Sequence, residues 1–144
     1  RNATPERARE LGVEFVSLED LLKQSDVVTL HLRLTPETKG FLGRRELELM
    51  KPTAILINTA RGAIVDEDAL IDMLKKGRLA GAGIDVFGTE PLPPGHPFKQ
   101  LDNVVLSPHV AAMAPETTLK GLEMAVDNVE NFLRGRPTHV VNPF

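Results

Sequence analysis

Short apolar runs separated by segments of helical period constrain this chain more than anything else in it. Ala54-Ile55-Leu56-Ile57 is apolar without alternation, as suits a parallel strand covered on both faces. Val27-Val28-Thr29-Leu30-His31, Leu79 to Val86 and Val104-Val105-Leu106 read as further strands, and Val13 to Val16 as a short one. Helices lie between them. Pro5 to Leu11 is stopped by Gly12, and Ser17 opens the next helix as an N-cap, with Asp20 placed to complete a capping box. Arg44 to Met50 and Glu67 to Lys76, the latter capped by Asp66, follow. Pro115 to Leu133 is longer, with Leu119, Leu122, Val126, Val129 and Leu133 on one face. Strands alternating with helices predict an α/β fold with a parallel sheet and right-handed crossovers.

Open parallel sheets bind ligands beyond the carboxyl ends of their strands. The loops that follow strands here hold His31-Leu32-Arg33, Thr59-Ala60-Arg61, Asp85 to Glu90, and Ser107-Pro108-His109. His109 is the side chain type best suited to exchange a proton near neutral pH, though alone it reads equally as a histidine bonded to nearby backbone. Glu90 could hold such a histidine in one tautomer, or be a solvated loop glutamate. Arg61 offers a guanidinium fork that matches a carboxylate, or reads as a phosphate-binding or surface arginine, and Gly62 behind it suggests a tight turn that aims the side chain. Asp85 ends a strand rich in small residues, where it could accept a hydrogen bond from a ligand amide or cap its loop.

Composition removes other classes. The 144 residues fit one domain or part of a larger one. Cysteine is absent, which excludes disulfides and thiolate metal sites, and no metal site is expected. No apolar run has membrane-spanning length, and the charged first ten residues are not a signal peptide. A net charge of −3 with both signs interspersed gives no case for nucleic acid or an acidic membrane surface as partner. The expected location is the cytoplasm.

Read in order, Asn58-Thr59-Ala60-Arg61-Gly62, Val65-Asp66-Glu67-Asp68-Ala69-Leu70, Gly77 to Phe87, Glu90-Pro91-Leu92 and Ser107-Pro108-His109 resemble the D-isomer-specific 2-hydroxyacid dehydrogenases. The likeness runs from about Ala3 to Pro143. It implies a Rossmann-like doubly wound parallel sheet, truncated at its N-terminal side. Residues 1–112 would be a partial dinucleotide-binding domain, and residues 113–144 a helix and tail returning to a substrate domain. It also implies roles: Arg61 binds the substrate carboxylate and carbonyl, His109 is the acid/base, and Glu90 partners it. Leu32, Thr59, Ala60, Arg61, Asp85, His109 and Ala111 match cofactor-lining positions. The implied activity is hydride transfer between NAD, with NADP as the second choice, and a D-2-hydroxy acid/2-oxo acid pair of the hydroxypyruvate, glyoxylate or phosphoglycerate type, in a homodimer. The alternative on this scaffold is a non-catalytic, corepressor-like NAD-binding protein or an inactive fragment. Formate dehydrogenases of the same superfamily carry glutamine where Glu90 stands, which argues against that assignment.

The chain departs from the family pattern in several places. It has no glycine-rich phosphate loop, and residue 1 is Arg, so the parent protein is expected to be longer. Arg33 stands where many relatives have proline, and Val110-Ala111-Ala112-Met113-Ala114 differs from the pattern usual in phosphoglycerate dehydrogenases. Without the phosphate loop, these 144 residues alone are expected to bind NAD(P) poorly or not at all. Micromolar binding in calorimetry would be the contrary result.

Overall fold

Strands β1 (Val27–Leu30), β2 (Ile55–Asn58), β3 (Gly81–Ile84) and β4 (Val104–Leu106) pair in parallel, side by side in chain order. The computed structural model describes residues 4–141. Its helices are α1 (Pro5–Leu11), α2 (Leu18–Gln24), α3 (Arg44–Glu48), α4 (Glu67–Lys75) and α5 (Pro115–Leu133). The chain divides into two compact units, Arg1–Pro108 and His109–Phe144.

The helix ends follow their capping residues. The Ser17 hydroxyl accepts the Asp20 N–H at 3.1 Å and donates to its carboxylate at 2.7 Å. Asp66 caps α4 by accepting the Ala69 N–H, and Gly12 ends α1 in the left-handed region at φ 64°. In α4, Ala69, Leu70, Ile71, Met73 and Leu74 are buried, which gives the helix its inward stripe.

Parallel strands laid down in consecutive order, with crossovers of one hand, put their connecting helices on a single face. On that face Val28, Leu30, Leu56, Ala82 and Ile84 join Leu22 of α2, Leu47 of α3 and Leu70 of α4 in one core cluster. Each fully buried leucine there contributes about 1.5–3 kcal/mol. The opposite face is open among the described residues: Val27 is 57%, Ile55 40% and Val105 75% exposed. Among the described residues, one side of the unbroken apolar run at β2 is covered.

The small residues of β3 have identifiable neighbours. A Cβ on Gly81 would meet the Asn103 carbonyl oxygen at 2.9 Å, and one on Gly83 would meet Ile57 Cδ1 at 2.9 Å. The predicted strand at Val13 to Val16 does not form: the segment has no regular secondary structure, and Val13, Phe15 and Val16 are exposed. A strand needs a neighbour for its backbone groups, and no described strand lies beside it. In the second unit α5 buries none of its residues, and Leu119, Leu122, Val126, Val129 and Leu133 are all exposed. No helix among the described residues is long and apolar enough to cross a membrane.

Asp72 ties α4 to α3. It receives Arg44 at 2.9 Å and Lys76 at 2.8 Å. The Lys76 hydrogen bond first, and the Arg44 hydrogen bond second, hold its carboxyl below the usual carboxylate range. A folded pKa below the unfolded one gives stability that is present above the unfolded value of about 3.9 and lost as pH falls through the folded value. Asp72→Asn should therefore lower the melting temperature at neutral pH. Its gap from the unsubstituted protein should close as thermal melts are taken into strongly acidic buffer.

Candidate functional site

The register puts Leu30, Asn58, Ile84 and Leu106 side by side at the carboxyl edge of the sheet. The next residues, His31, Thr59, Asp85 and Ser107, start the loops at that edge. Two ladder bonds continue past the strand ends, from Asp85 N–H to the Asn58 carbonyl and from Ser107 N–H to the Ile84 carbonyl, each 3.0 Å.

A cleft of about 430 Å³ opens over the ends of β1 and β2. Leu30, His31, Leu32, Arg33, Leu34, Thr59, Ala60 and Arg61 form its wall, which brings Leu32, Thr59, Ala60 and Arg61 together. The wall holds two arginines and a histidine but no carboxylate. Such a surface favours anions. His31 Nε2 shares a hydrogen bond with the Thr29 hydroxyl at 3.1 Å. The Arg61 guanidinium donates to the Ala60 carbonyl at 2.6 Å.

Asn58 builds the turn that presents Arg61. It is 2% exposed, its Oδ1 accepts the Ala60 N–H at 3.1 Å, and its Nδ2 donates to the Arg61 carbonyl at 3.1 Å. This polar residue at the end of an apolar strand was the available signal, because a buried amide must find partners in the adjoining turn. Asn58→Ala leaves both backbone groups without their partner and should cost about 1–3 kcal/mol. Asn58→Asp should cost more, since a carboxylate oxygen then faces the Arg61 carbonyl. Denaturant midpoints measured at constant m-value check both.

Gly62 does not make a left-handed turn. It is instead a place of close backbone approach. A Cβ there would lie 2.1 Å from the Phe87 carbonyl carbon, 2.3 Å from its oxygen and 2.6 Å from the Gly88 nitrogen. The turn after β2 thus rests directly on the turn after β3, which leads to Glu90. Glu90 is exposed, yet its carboxylate accepts the Phe87 N–H at 2.9 Å. Asp85 is 2% exposed, and the Ser107 hydroxyl donates to its Oδ1 at 2.6 Å, a short hydrogen bond. Ser107 thereby joins Asn58 as a supporting residue beyond those singled out from sequence.

His109 and Ala111 belong to the second unit. His109 opens it with φ 56°, one of two non-glycine residues with positive φ among the described residues. Left-handed backbone is uncommon outside glycine, and it concentrates where function over-determines the chain. No group of three or more His, Cys, Asp or Glu placed to hold a metal ion occurs among the described residues.

The sequence profile of the D-isomer specific 2-hydroxyacid dehydrogenase, NAD binding domain, matches residues 1–111. The chain belongs to this family. It is 50% identical to a glyoxylate reductase of Aeropyrum pernix over 143 residues, covering 99% of this chain and 43% of that protein. Two solved members of the family share the fold. One is a D-isomer specific 2-hydroxyacid dehydrogenase from Xanthobacter autotrophicus in complex with NADPH and MES, with TM-score 0.75, 41% identity, and coverage of 85% of this chain and 50% of that one. The other, from Lactobacillus delbrueckii in its NAD-complexed form, has TM-score 0.85, 32% identity, and coverage of 97% and 46%. The chain therefore spans no more than half the length of these relatives.

Proposed function

We propose that this chain forms the cofactor-side, catalytic portion of an NAD(P)-dependent D-2-hydroxyacid dehydrogenase. The observation that carries the proposal is the cation-lined cleft at the carboxyl ends of β1 and β2, in a chain of this family. The residues present suit a dinucleotide. Leu30, Leu32 and Leu34 give apolar wall, Arg33 and Arg61 give positive charge, and buried Asp85 carries acceptor oxygens at the neighbouring strand end. Bound NAD(P)H supplies the two reducing electrons as hydride.

The chain's own residues handle binding and the proton. Arg61 takes the substrate carboxylate and draws negative charge onto the carbonyl oxygen through its fork of N–H donors. His109 gives a proton to the oxygen at C2 as it becomes an alkoxide, and takes it back in the oxidative direction. Glu90 partners the histidine, and its carboxylate is already fixed by the Phe87 N–H. Leu32, Thr59, Ala60, Arg61, Asp85, His109 and Ala111 would line the cofactor. Glyoxylate and hydroxypyruvate are the first substrates to try, because glyoxylate reductase is the name of a half-identical relative. NAD is the first cofactor and NADP the second. A cytoplasmic homodimer, and the return of residues 113–144 to a substrate domain, are part of the same proposal and rest on the resemblance.

The test is NADH and NADPH oxidation by the full-length protein with glyoxylate, hydroxypyruvate and phosphohydroxypyruvate. Turnover with at least one 2-oxo acid is expected. Demonstrated dinucleotide binding without turnover of any 2-oxo acid would leave the corepressor-like reading in its place.

A further inference from the structure

We propose that Glu67 and His96 are positioning residues that hold the Phe87–Glu90 turn from outside, and so fix where Glu90 stands. The proposal rests on the dehydrogenase reading above. Glu67 is the first residue of α4, placed there by the Asp66 cap. Its two carboxylate oxygens have two different tasks. Oε2 accepts the Gly88 N–H at 3.1 Å, and Oε1 meets His96 Nε2 at 3.1 Å. Both side chains are mostly shielded, Glu67 at 27% and His96 at 16% exposure, so solvent competes little for the bond between them, which anchors the carboxylate that reaches the exposed Gly88 amide.

The other ring nitrogen settles which way the His96 bond runs. Nδ1 accepts the Phe98 N–H at 3.3 Å, so it carries no proton, and Nε2 is the donor to Glu67. The His96 ring also packs against Phe98, with ring centres 5.2 Å apart, and Phe98 is 1% exposed in the core. A continuous path therefore runs from the core through Phe98, His96 and Glu67 to the Gly88 amide.

That amide belongs to the peptide on which Gly62 rests. Successive N–H groups of the turn are gripped by two carboxylates: Phe87 by Glu90 from within, and Gly88 by Glu67 from α4. The Glu90 bond alone moves with its own turn and cannot locate it. The Glu67 bond spans 21 positions of sequence and can. The same hold also sets the spacing between the Glu90 turn and the Arg61 turn stacked on it through Gly62.

Three variants of the full-length enzyme separate positioning from mere folding. Glu67→Ala removes the hold. His96→Asn keeps an acceptor for the Phe98 N–H but loses the donor to Glu67. His96→Gln keeps an amide N–H able to reach Glu67. A misplacement of about 1 Å can cost about 10²-fold in rate, so kcat should fall by roughly 10–100-fold in Glu67→Ala and His96→Asn. KM for NAD(P)H should stay within about twofold, and His96→Gln should recover much of the loss. Amide exchange at Gly88 should quicken in Glu67→Ala relative to Leu70 of α4. Unchanged kcat in Glu67→Ala and His96→Asn, beside an active unsubstituted enzyme, overturns the proposal and leaves the dehydrogenase reading intact. A fall in kcat that tracks melting temperature equally in all three variants overturns it too. If the unsubstituted enzyme has no turnover, the functional reading fails, and unchanged Gly88 exchange in Glu67→Ala then overturns the structural claim separately.

Discussion

Replacing His109 with alanine in the full-length protein should lower kcat by about 10²–10⁴-fold, the usual worth of a positioned general acid. The dissociation constant for the dinucleotide should change far less, by about threefold or under, because His109 is one of several cofactor-lining positions while its proton is needed only as the alkoxide forms. The backbone at this position complicates a single substitution. His109 sits at φ 56°, a region that alanine tolerates less well than histidine or asparagine. His109→Asn is the control, since it keeps a side chain suited to left-handed backbone while removing the titratable ring. If the proton is what matters, both variants lose turnover alike and both still bind the dinucleotide. If His109 serves the backbone instead, His109→Asn retains most of the activity. Equal loss of turnover and dinucleotide affinity in both variants would count against the acid/base role.

Where the determinants were local, the sequence was legible. Ser17, Asp66 and Gly12 cap or stop helices through partners within a few residues, and those ends lie where the pattern places them. The loops after the strands were legible as well, since parallel order forces their starts to one edge. Non-local features were not. Val13 to Val16 has strand composition but finds no ladder, because a strand is a property of two segments and a sequence run reports only one. The apolar run at β2 looked two-sided, and among the described residues one of its sides is covered. Asn58, Ser107 and the Glu67–His96 pair also escaped. The Asn58 turn is local and its signal was present, a polar residue closing an apolar strand. The Ser107–Asp85, Glu67–Gly88 and Glu67–His96 bonds span 22, 21 and 29 positions and have no local signature.

Gly62→Ala should be the most damaging single methyl group that can be added near the site. The three atoms it would meet, at 2.1, 2.3 and 2.6 Å, all belong to the backbone of Phe87 and Gly88, so no side chain can swing aside. Relief requires the two turns to move apart. That motion strains the Glu67 bond to the Gly88 N–H, the Glu90 bond to the Phe87 N–H and the Asn58 bonds on the other side. Overpacking a well-filled site costs about 1–3 kcal/mol, and backbone contacts this short place the cost at roughly 3 kcal/mol or above. For a domain of this size that corresponds to a melting temperature lower by about 6–12 °C. Gly95→Ala is the matched control, because nothing lies within 4 Å of its added Cβ and its φ is not positive. Gly95→Ala should leave the melting temperature unchanged or raise it slightly, by the equivalent of about 0.4–1 kcal/mol. The kinetic signature separates displacement from simple loss of folded protein. Assayed well below its melting temperature, Gly62→Ala should lose kcat/KM for the 2-oxo acid, because Arg61 and Glu90 no longer keep their spacing. A Gly62→Ala protein with the melting temperature and kcat/KM of the unsubstituted enzyme would mean that the two turns do not touch in solution, and the hold on Glu90 inferred from that contact would go with it.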